Sequence, residues 1–159
     1  MHKPSNARTT GFRHAMVGAV MLSFVAQAHA VGAADPAKEP PVDAATCVAA
    51  SQANDADKVL GECSALIDNP KATRTDRINA LIARASVLIS RGQTDRAVAD
   101  YDLVLQLDPT LADIFNARGE LQRKRGDRPK ALADFAAALK LNPAHASARI
   151  NYRSLAQEI

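Results

Sequence analysis

Apolar residues recur with the spacing of α-helices along the second half of the chain. Leu81, Ala85 and Leu88 stand three or four positions apart and therefore share one helical face. Val98 and Tyr101 begin a second run with the same spacing. The pattern predicts consecutive amphipathic helices and no strands.

This pattern repeats after 34 residues, between residues 78–111 and residues 112–145. Gly92 recurs as Gly126, where a helix can end in a left-handed residue, and Pro109 recurs as Pro143, where the unit closes. Each unit is therefore predicted to be a pair of helices. The other matching pairs are Ala97/Ala131, Tyr101/Phe135, Leu105/Leu139 and Leu107/Leu141.

A degenerate pair precedes these units, and a single helix follows them. An offset of 38 residues aligns Cys63 with Tyr101 and Leu66 with Val104, which predicts helices at about 44–53 and 57–68. We assign residues 43–70 to this pair and residues 71–77 to a long connection. Residues 146–159 are predicted to form a capping helix that covers the last apolar face. The apolar residues of that helix are Ile150, Tyr152 and Leu155.

The repeated residues resemble those of the tetratricopeptide repeat (TPR) family. The period of 34, the aromatics Tyr101 and Phe135, and the small residues at fixed positions agree with that family. The small residues are the pairs Ala85/Gly119, Ala97/Ala131 and Val104/Ala138. Arg84 and Arg118 depart from the pattern because the family often has Leu there. The resemblance implies an all-α, right-handed superhelix of antiparallel helix pairs.

The resemblance also implies a binding surface, because the first helix of each pair lines a concave groove in this family. Ile82 and Ile89 are expected to be an exposed apolar pair in that groove. We expect another protein to place a peptide or a helix there. The alternative is a structural, self-associating module of envelope assembly in which no groove is used. The residues at the groove positions are Asn79, Ile82, Ser86, Ile89, Ser90, Asp113, Asn116, Glu120, Arg123 and Lys124.

Two cysteines fall in the degenerate pair. Cys47 and Cys63 are each eight residues from Asp55, in the middle of the predicted turn, so two antiparallel helices hold them at the same height. This symmetry predicts a structural disulfide. Two buried free thiols and a redox-active pair remain alternatives, although the spacing is not that of a Cys-x-x-Cys motif.

The N-terminal segment has the parts of a secretory signal peptide. Lys3, Arg8 and Arg13 precede the apolar run 15–26, and Ala28-His29-Ala30 follows it as a small-x-small cleavage site. We expect a Sec-type signal over residues 1–30, with cleavage after Ala30 and a periplasmic or secreted mature protein. An uncleaved anchor is the alternative. Residues 31–42 hold three prolines and are predicted to be a disordered linker.

Charge and chemistry exclude several classes of function. The net charge of +3 comes from the three basic residues of the signal, since 17 basic and 17 acidic residues remain without them. The sequence therefore gives no support to nucleic-acid binding. His145 is the only histidine after residue 30, so neither a Ser-His-Asp triad nor a two-histidine metal site is expected. We predict that the protein is not an enzyme, binds no cofactor and does not insert into a membrane after signal cleavage. We interpret Asp100 and Asp102 as solvated acids.

Overall fold

The computed structural model describes residues 43–157, and the part it describes is entirely helical. The predicted signal peptide (1–30), the linker (31–42) and residues 158–159 of the predicted cap lie outside the described residues. Seven helices follow one another within residues 43–157. They are α1 (Ala44–Gln52), α2 (Ala56–Lys58, Val59–Cys63 and Ser64–Asp68 in succession), α3 (Arg74–Ser90), α4 (Thr94–Leu107), α5 (Ala112–Lys124), α6 (Arg128–Leu141) and α7 (Ala146–Gln157).

The turns within the three helix pairs use left-handed residues. Gly92 and Gly126 have φ of 70° and 80°, and the corresponding residue of the first pair is Asn54 with φ of 52°. Glycine adopts this conformation without steric cost, and Asn is among the few other residues that tolerate it. Asp55 then begins α2 by accepting a hydrogen bond from the backbone N–H of Lys58.

Helix α2 is continuous and contains a π-helical segment at Val59–Cys63. The residues on either side of that segment keep α-helical dihedrals, so the helix does not break. Cys63 ends the π-helical segment and forms a disulfide with Cys47 of α1, with a Cα–Cα distance of 4.8 Å. The predicted bridge is therefore present, and the alternative of two buried free thiols is wrong.

The predicted connection at 71–77 is wrong in its second half, because α3 begins at Arg74. Thr73 caps this helix by accepting a hydrogen bond from the backbone N–H of Asp76, and its hydroxyl donates to the Asp76 carboxylate at 2.6 Å. This N-cap makes residues 74–77 the first turn of a helix. The residues inserted relative to the 34-residue period therefore lengthen α3 more than they lengthen the loop.

The apolar residues that recur every 34 positions form the core. Leu81, Ala85 and Leu88 are at most 1% exposed, as the helical pattern predicted. They pack with buried residues of α4 and α5 in one cluster. The other buried members of that cluster are Ala97, Val98, Tyr101, Val104, Leu105, Ile114 and Leu121.

Helix α7 covers the end of the helix pairs, but fewer of its apolar residues are buried than predicted. Ala148 and Leu155 are fully buried, and Leu155 packs with Phe135 of α6. Ile150 is 67% exposed and Tyr152 37% exposed, so their predicted place on the buried face is wrong. Ile150 lies two residues after Ala148, about 200° around the helix, and therefore points away from the core.

Gly119 allows α5 and α6 to approach closely, which gives a first testable prediction. A Cβ at this position would lie 2.6 and 2.8 Å from two carbon atoms of the Phe135 ring. Gly119→Ala is therefore expected to destabilise the fold by about 1–3 kcal/mol through overpacking. Urea unfolding measures the effect. Gly61→Ala is the control, because nothing lies within 4 Å of a Cβ there, and it should stabilise the fold by up to about 1 kcal/mol. Equal effects of the two changes would contradict the prediction.

Candidate functional site

The residues predicted to line a groove lie on two first helices, α3 and α5, and the structure exposes only some of them. Most of the polar residues are accessible: Asn79, Ser86, Ser90, Asp113, Glu120 and Lys124. Three of the predicted residues are half-buried, namely Ile82, Ile89 and Arg123, and Asn116 is buried.

Ile82 and Ile89 are not the exposed apolar pair that the sequence suggested. Both are half-buried and pack against the cluster that contains Leu81 and Leu88. A helical wheel separates the two sides of α3 but does not show how closely the neighbouring helices approach its flanks. Acidic replacements at Ile82 and Ile89 would therefore remove packing as well as change the surface.

The predicted residues of α5 are engaged by the capping helix α7. The side-chain amide of Asn151 donates to Asn116 Oδ1 and to Glu120 Oε1, both at 3.0 Å, and Asn116 donates to the same Glu120 oxygen at 2.9 Å. Arg123 donates to Ser154 Oγ at 3.3 Å. These intramolecular hydrogen bonds occupy much of the polar surface of α5.

Asp113, at the start of α5, contacts the loop before α7. Its carboxylate lies 3.0 Å from Nε2 of His145, whose Nδ1 accepts a hydrogen bond from the backbone N–H of Ala148. His145 therefore caps α7 and is only about one tenth exposed. These contacts give His145 a structural role.

A cleft of about 220 Å³ lies between α1 and α3. Val48, which is 46% exposed, contributes to one side, and Ala83 contributes to the other. Asn79 is the one residue of the predicted groove that lines this cleft. The full lining is Ala44, Cys47, Val48, Ser51, Gln52, Leu66, Asp76, Asn79, Ala80 and Ala83.

Sequence reasoning missed the residues of α1, although a signal for them was present. Moving the groove positions of α3 back by the offset of 38 residues reaches the α1 side of the cleft. In this way Ile82 corresponds to Ala44, Ser86 to Val48 and Ile89 to Ser51. These three residues of α1 line the cleft together with Asn79, whereas Ile82, Ser86 and Ile89 themselves do not line it.

Asp100 and Asp102 were expected to be solvated acids, and the structure corrects this for Asp100, whereas the side chain of Asp102 is 47% exposed. Asp100 is 3% exposed and receives a bidentate hydrogen bond from Arg84, at 3.0 and 2.6 Å. The remaining Arg84 nitrogen donates to Ser64 Oγ of the preceding pair at 2.9 Å. The hydrogen bond to Asp100 raises the pKa of Arg84 above its ordinary value, although burial opposes the shift.

The same arrangement recurs one unit later. Arg118 makes a bidentate hydrogen bond to Asp134, at 2.9 and 2.7 Å, and donates to Asp102 of the preceding unit at 2.6 Å. The hydrogen bond to Asp134 raises the pKa of Arg118, while burial lowers it. Each of these arginines therefore joins the two helices of its own unit to the second helix of the unit before.

A second, charged cleft of about 440 Å³ opens beside Arg118. Its charged residues already have ion-pair partners inside the chain, since Arg125 pairs with Asp95 and Lys130 with Asp127, each at 2.9 Å. This cleft therefore offers no unpaired charge to a ligand.

The part of the chain that the structure describes contains no group of three His, Cys, Asp or Glu side chains suited to a metal ion. A bilayer could not be crossed by any helix between residues 43 and 157, because none combines the necessary length with the necessary apolarity. The candidate site in the described part of the chain is the cleft between α1 and α3, because it combines an apolar lining with exposed polar residues.

Comparisons with known proteins agree with this architecture. A family model described as TPR repeat matches residues 85–126, and one described as tetratricopeptide repeat matches residues 112–145. A search of curated proteins found no significant match.

Two solved structures share the fold at low sequence identity. The TPR domain of Arabidopsis OM64 is 21% identical, with a TM-score of 0.61 over 72% of this chain and 92% of that one. The first TPR of Spaghetti (RPAP3), solved with the HSP90 peptide SRMEEVD, is 16% identical, with a TM-score of 0.61 over 73% of this chain and 94% of that one. The chain thus contains tetratricopeptide repeats, arranged in the all-helical superhelix of TPR domains.

Proposed function

We propose that this domain binds a segment of another protein on the surface formed by its first helices, α1, α3 and α5. The observation that carries the proposal is the cleft between α1 and α3, where the exposed Val48 lies among the accessible polar side chains Ser51, Gln52 and Asn79. An apolar recess with a polar rim suits a peptide, whose side chains fill the recess while its backbone bonds to the rim.

The peptide bound by the similar structure is acidic, and the surface of α3 differs from what an acidic tail requires. Basic side chains recognise carboxylates best, yet the groove positions of α3 hold Asn79, Ser86 and Ser90. We therefore propose an extended peptide or a helix of the partner rather than an acidic C-terminal tail. The proposal assigns no catalytic step and no cofactor to the domain.

Self-association is the second candidate function. Ile150 is 67% exposed on α7, and Leu141 is 42% exposed just before it. Exposed apolar side chains at the end of a repeat stack can be covered by a second copy of the chain. This surface is distinct from the cleft between α1 and α3, so the two functions can be tested separately.

Site-specific photo-cross-linking in the source cell tests the proposal. A photoactivatable phenylalanine derivative replaces Ser86, which is exposed on α3, and in a control protein it replaces Ala99, which is exposed on α4. Binding on the first helices predicts a cross-linked product with another protein from position 86 and none from position 99. The same derivative placed at Ile150 tests the second candidate function, because a product of twice the chain mass from that position would support self-association instead. Equal yields from positions 86 and 99 would contradict the proposed surface.

We also propose that the domain acts after export. The signal-like residues 1–30 support this, and so does the Cys47–Cys63 disulfide, because such bonds persist mainly in oxidising compartments. The intact mass of protein from the envelope fraction should correspond to a chain that begins at Val31. A mass that includes Met1, found in a membrane pellet, would support the uncleaved anchor.

A further inference from the structure

We infer that the cleft between α1 and α3 binds an apolar side chain of the partner segment, and that a basic residue of that segment lies beside Asp76. The inference rests on the proposed function and specifies the chemistry of the ligand. It concerns the cleft alone and makes no claim about the surfaces of α5 and α7.

The apolar part of the inference follows from the lining and the size of the cleft. Six of its ten lining residues are Ala44, Cys47, Val48, Leu66, Ala80 and Ala83, which offer mostly carbon and sulfur atoms. Sites for drug-sized molecules usually enclose about 300–1,000 Å³. A recess of about 220 Å³ is smaller and suits one or two side chains of a peptide.

The disulfide makes one side of this recess rigid. Cys47 lines the cleft and is 2% exposed, and its bond to Cys63 fixes α1 against α2. A preformed recess loses little conformational entropy when a side chain enters, so even a short segment gains affinity there. The cleft extends along nine residues of α1, from Ala44 to Gln52, whose eight rises of 1.5 Å span about 12 Å, the length of about four extended residues.

The basic part of the inference follows from charge. Asp76 is the one charged residue of the lining, which contains neither Lys nor Arg. Its carboxylate accepts a hydrogen bond from Thr73, and no Lys or Arg between residues 43 and 157 forms an ion pair with it. Asp43, exposed beside Ala44 at the start of α1, adds a second negative charge. A segment with Lys or Arg beside its apolar anchor complements these charges, whereas an acidic segment is repelled.

Selection from a random ten-residue peptide library displayed on phage tests the inference with the oxidised full chain. We expect enrichment of an apolar residue with Lys or Arg within three positions of it, and depletion of Asp and Glu. Synthetic copies of the enriched peptides are then titrated against variants of the chain.

Two variants address the apolar recess. Ala83→Leu fills the recess with a larger side chain. Val48→Ser removes an apolar side chain from its edge, and because Val48 is 46% exposed, this change should leave the fold intact even if Ala83→Leu disturbs it. We expect at least a tenfold loss of affinity with Ala83→Leu and a threefold loss with Val48→Ser. Ala99→Leu, on the exposed side of α4, is the matched control and should stay within twofold of the original chain.

Asp76→Asn addresses the charge, since Asn can keep the hydrogen bond with Thr73. Peptides that carry Lys or Arg should lose at least threefold in affinity and lose their sensitivity to salt, while Asp95→Asn, a change of an exposed acid on α4, has no effect. Enrichment of acidic peptides, or failure to enrich any peptide, would overturn the inference.

Two further outcomes separate this inference from the proposed function. Peptides that bind Ala83→Leu and Val48→Ser normally but lose affinity for Ser86→Arg would preserve the proposed function and overturn the assignment of the cleft. Lys38 is the one basic residue of residues 31–42. If Lys38→Gln raised the affinity of the chain for every peptide, these residues of the chain itself would be the occupant of the cleft. That result would also overturn the inference.

Discussion

Arg84→Leu is expected to lower the free energy of unfolding by about 3–5 kcal/mol, because it leaves the carboxylate of Asp100 buried without its partner. Asp100 is 3% exposed, and both of its oxygens accept hydrogen bonds from Arg84. The change also removes the hydrogen bond to Ser64, which ties the first helix pair to the next unit. Leucine is often found at this position in TPR repeats, so a loss of stability with leucine would point to the unpaired Asp100 carboxylate and not to an unsuitable side chain.

The double variant Arg84→Leu/Asp100→Leu separates the charge from the packing. Replacing both partners of a buried ion pair with apolar residues is often neutral or stabilising, so the double variant should recover most of the lost stability. Urea unfolding of the two single variants and the double variant gives the coupling energy. Arg91→Leu is the control, because its partner Asp57 is 89% exposed, and it should cost less than about 1 kcal/mol. Similar losses in Arg84→Leu and Arg91→Leu would contradict the interpretation.

Cys47→Ala/Cys63→Ala is expected to cost about 3 kcal/mol, the value for a disulfide that closes a loop of about 17 residues. The disulfide matters to α1 because the only buried residues of that helix are Cys47 and Ala50. Loss of the bond should therefore release α1 first and leave α3 to α7 folded. Amide hydrogen exchange should show protection lost in residues 44–52 and largely kept in residues 74–107.

Reduction of the unmodified protein is the control for the two alanine replacements, because it breaks the bond without changing the side chains. It should release α1 in the same way and remove one side of the cleft. Unchanged exchange in residues 44–52 after reduction would mean that packing alone holds α1. Peptide binding measured on the same samples should fall on reduction if the cleft is the binding site, because one of its sides is then lost.

The candidate site was only partly predictable from the sequence. Asn79 was identified from the groove positions of the family and does line the cleft. The residues of α1 could be reached through the 38-residue offset, but small apolar residues lie on nearly every side of this helix, so no single face revealed its orientation. The engagement of Asn116 and Glu120 by Asn151 could not be predicted, since it depends on the angle at which α7 meets α5.

By itself the sequence determined the helices, their pairing and the residues of the central core. These features depend on local spacing: the recurrence of apolar residues, the glycines that adopt positive φ, and the symmetry of the cysteines about Asp55. Leu81, Leu88, Val104 and Phe135 are all fully or almost fully buried for this reason.

Only the tertiary structure decided which polar residues are buried and which apolar residues are exposed. Arg84 and Asp100 are 16 positions apart on different helices, so their bidentate bond depends on how those helices pack. Ile150 and Ile89 have equal hydropathy, yet one is exposed and the other packs against the core. The burial of a side chain depends on whether a neighbouring helix covers it, and the cleft exists because α1 and α3 leave a space that no side chain of the described residues fills.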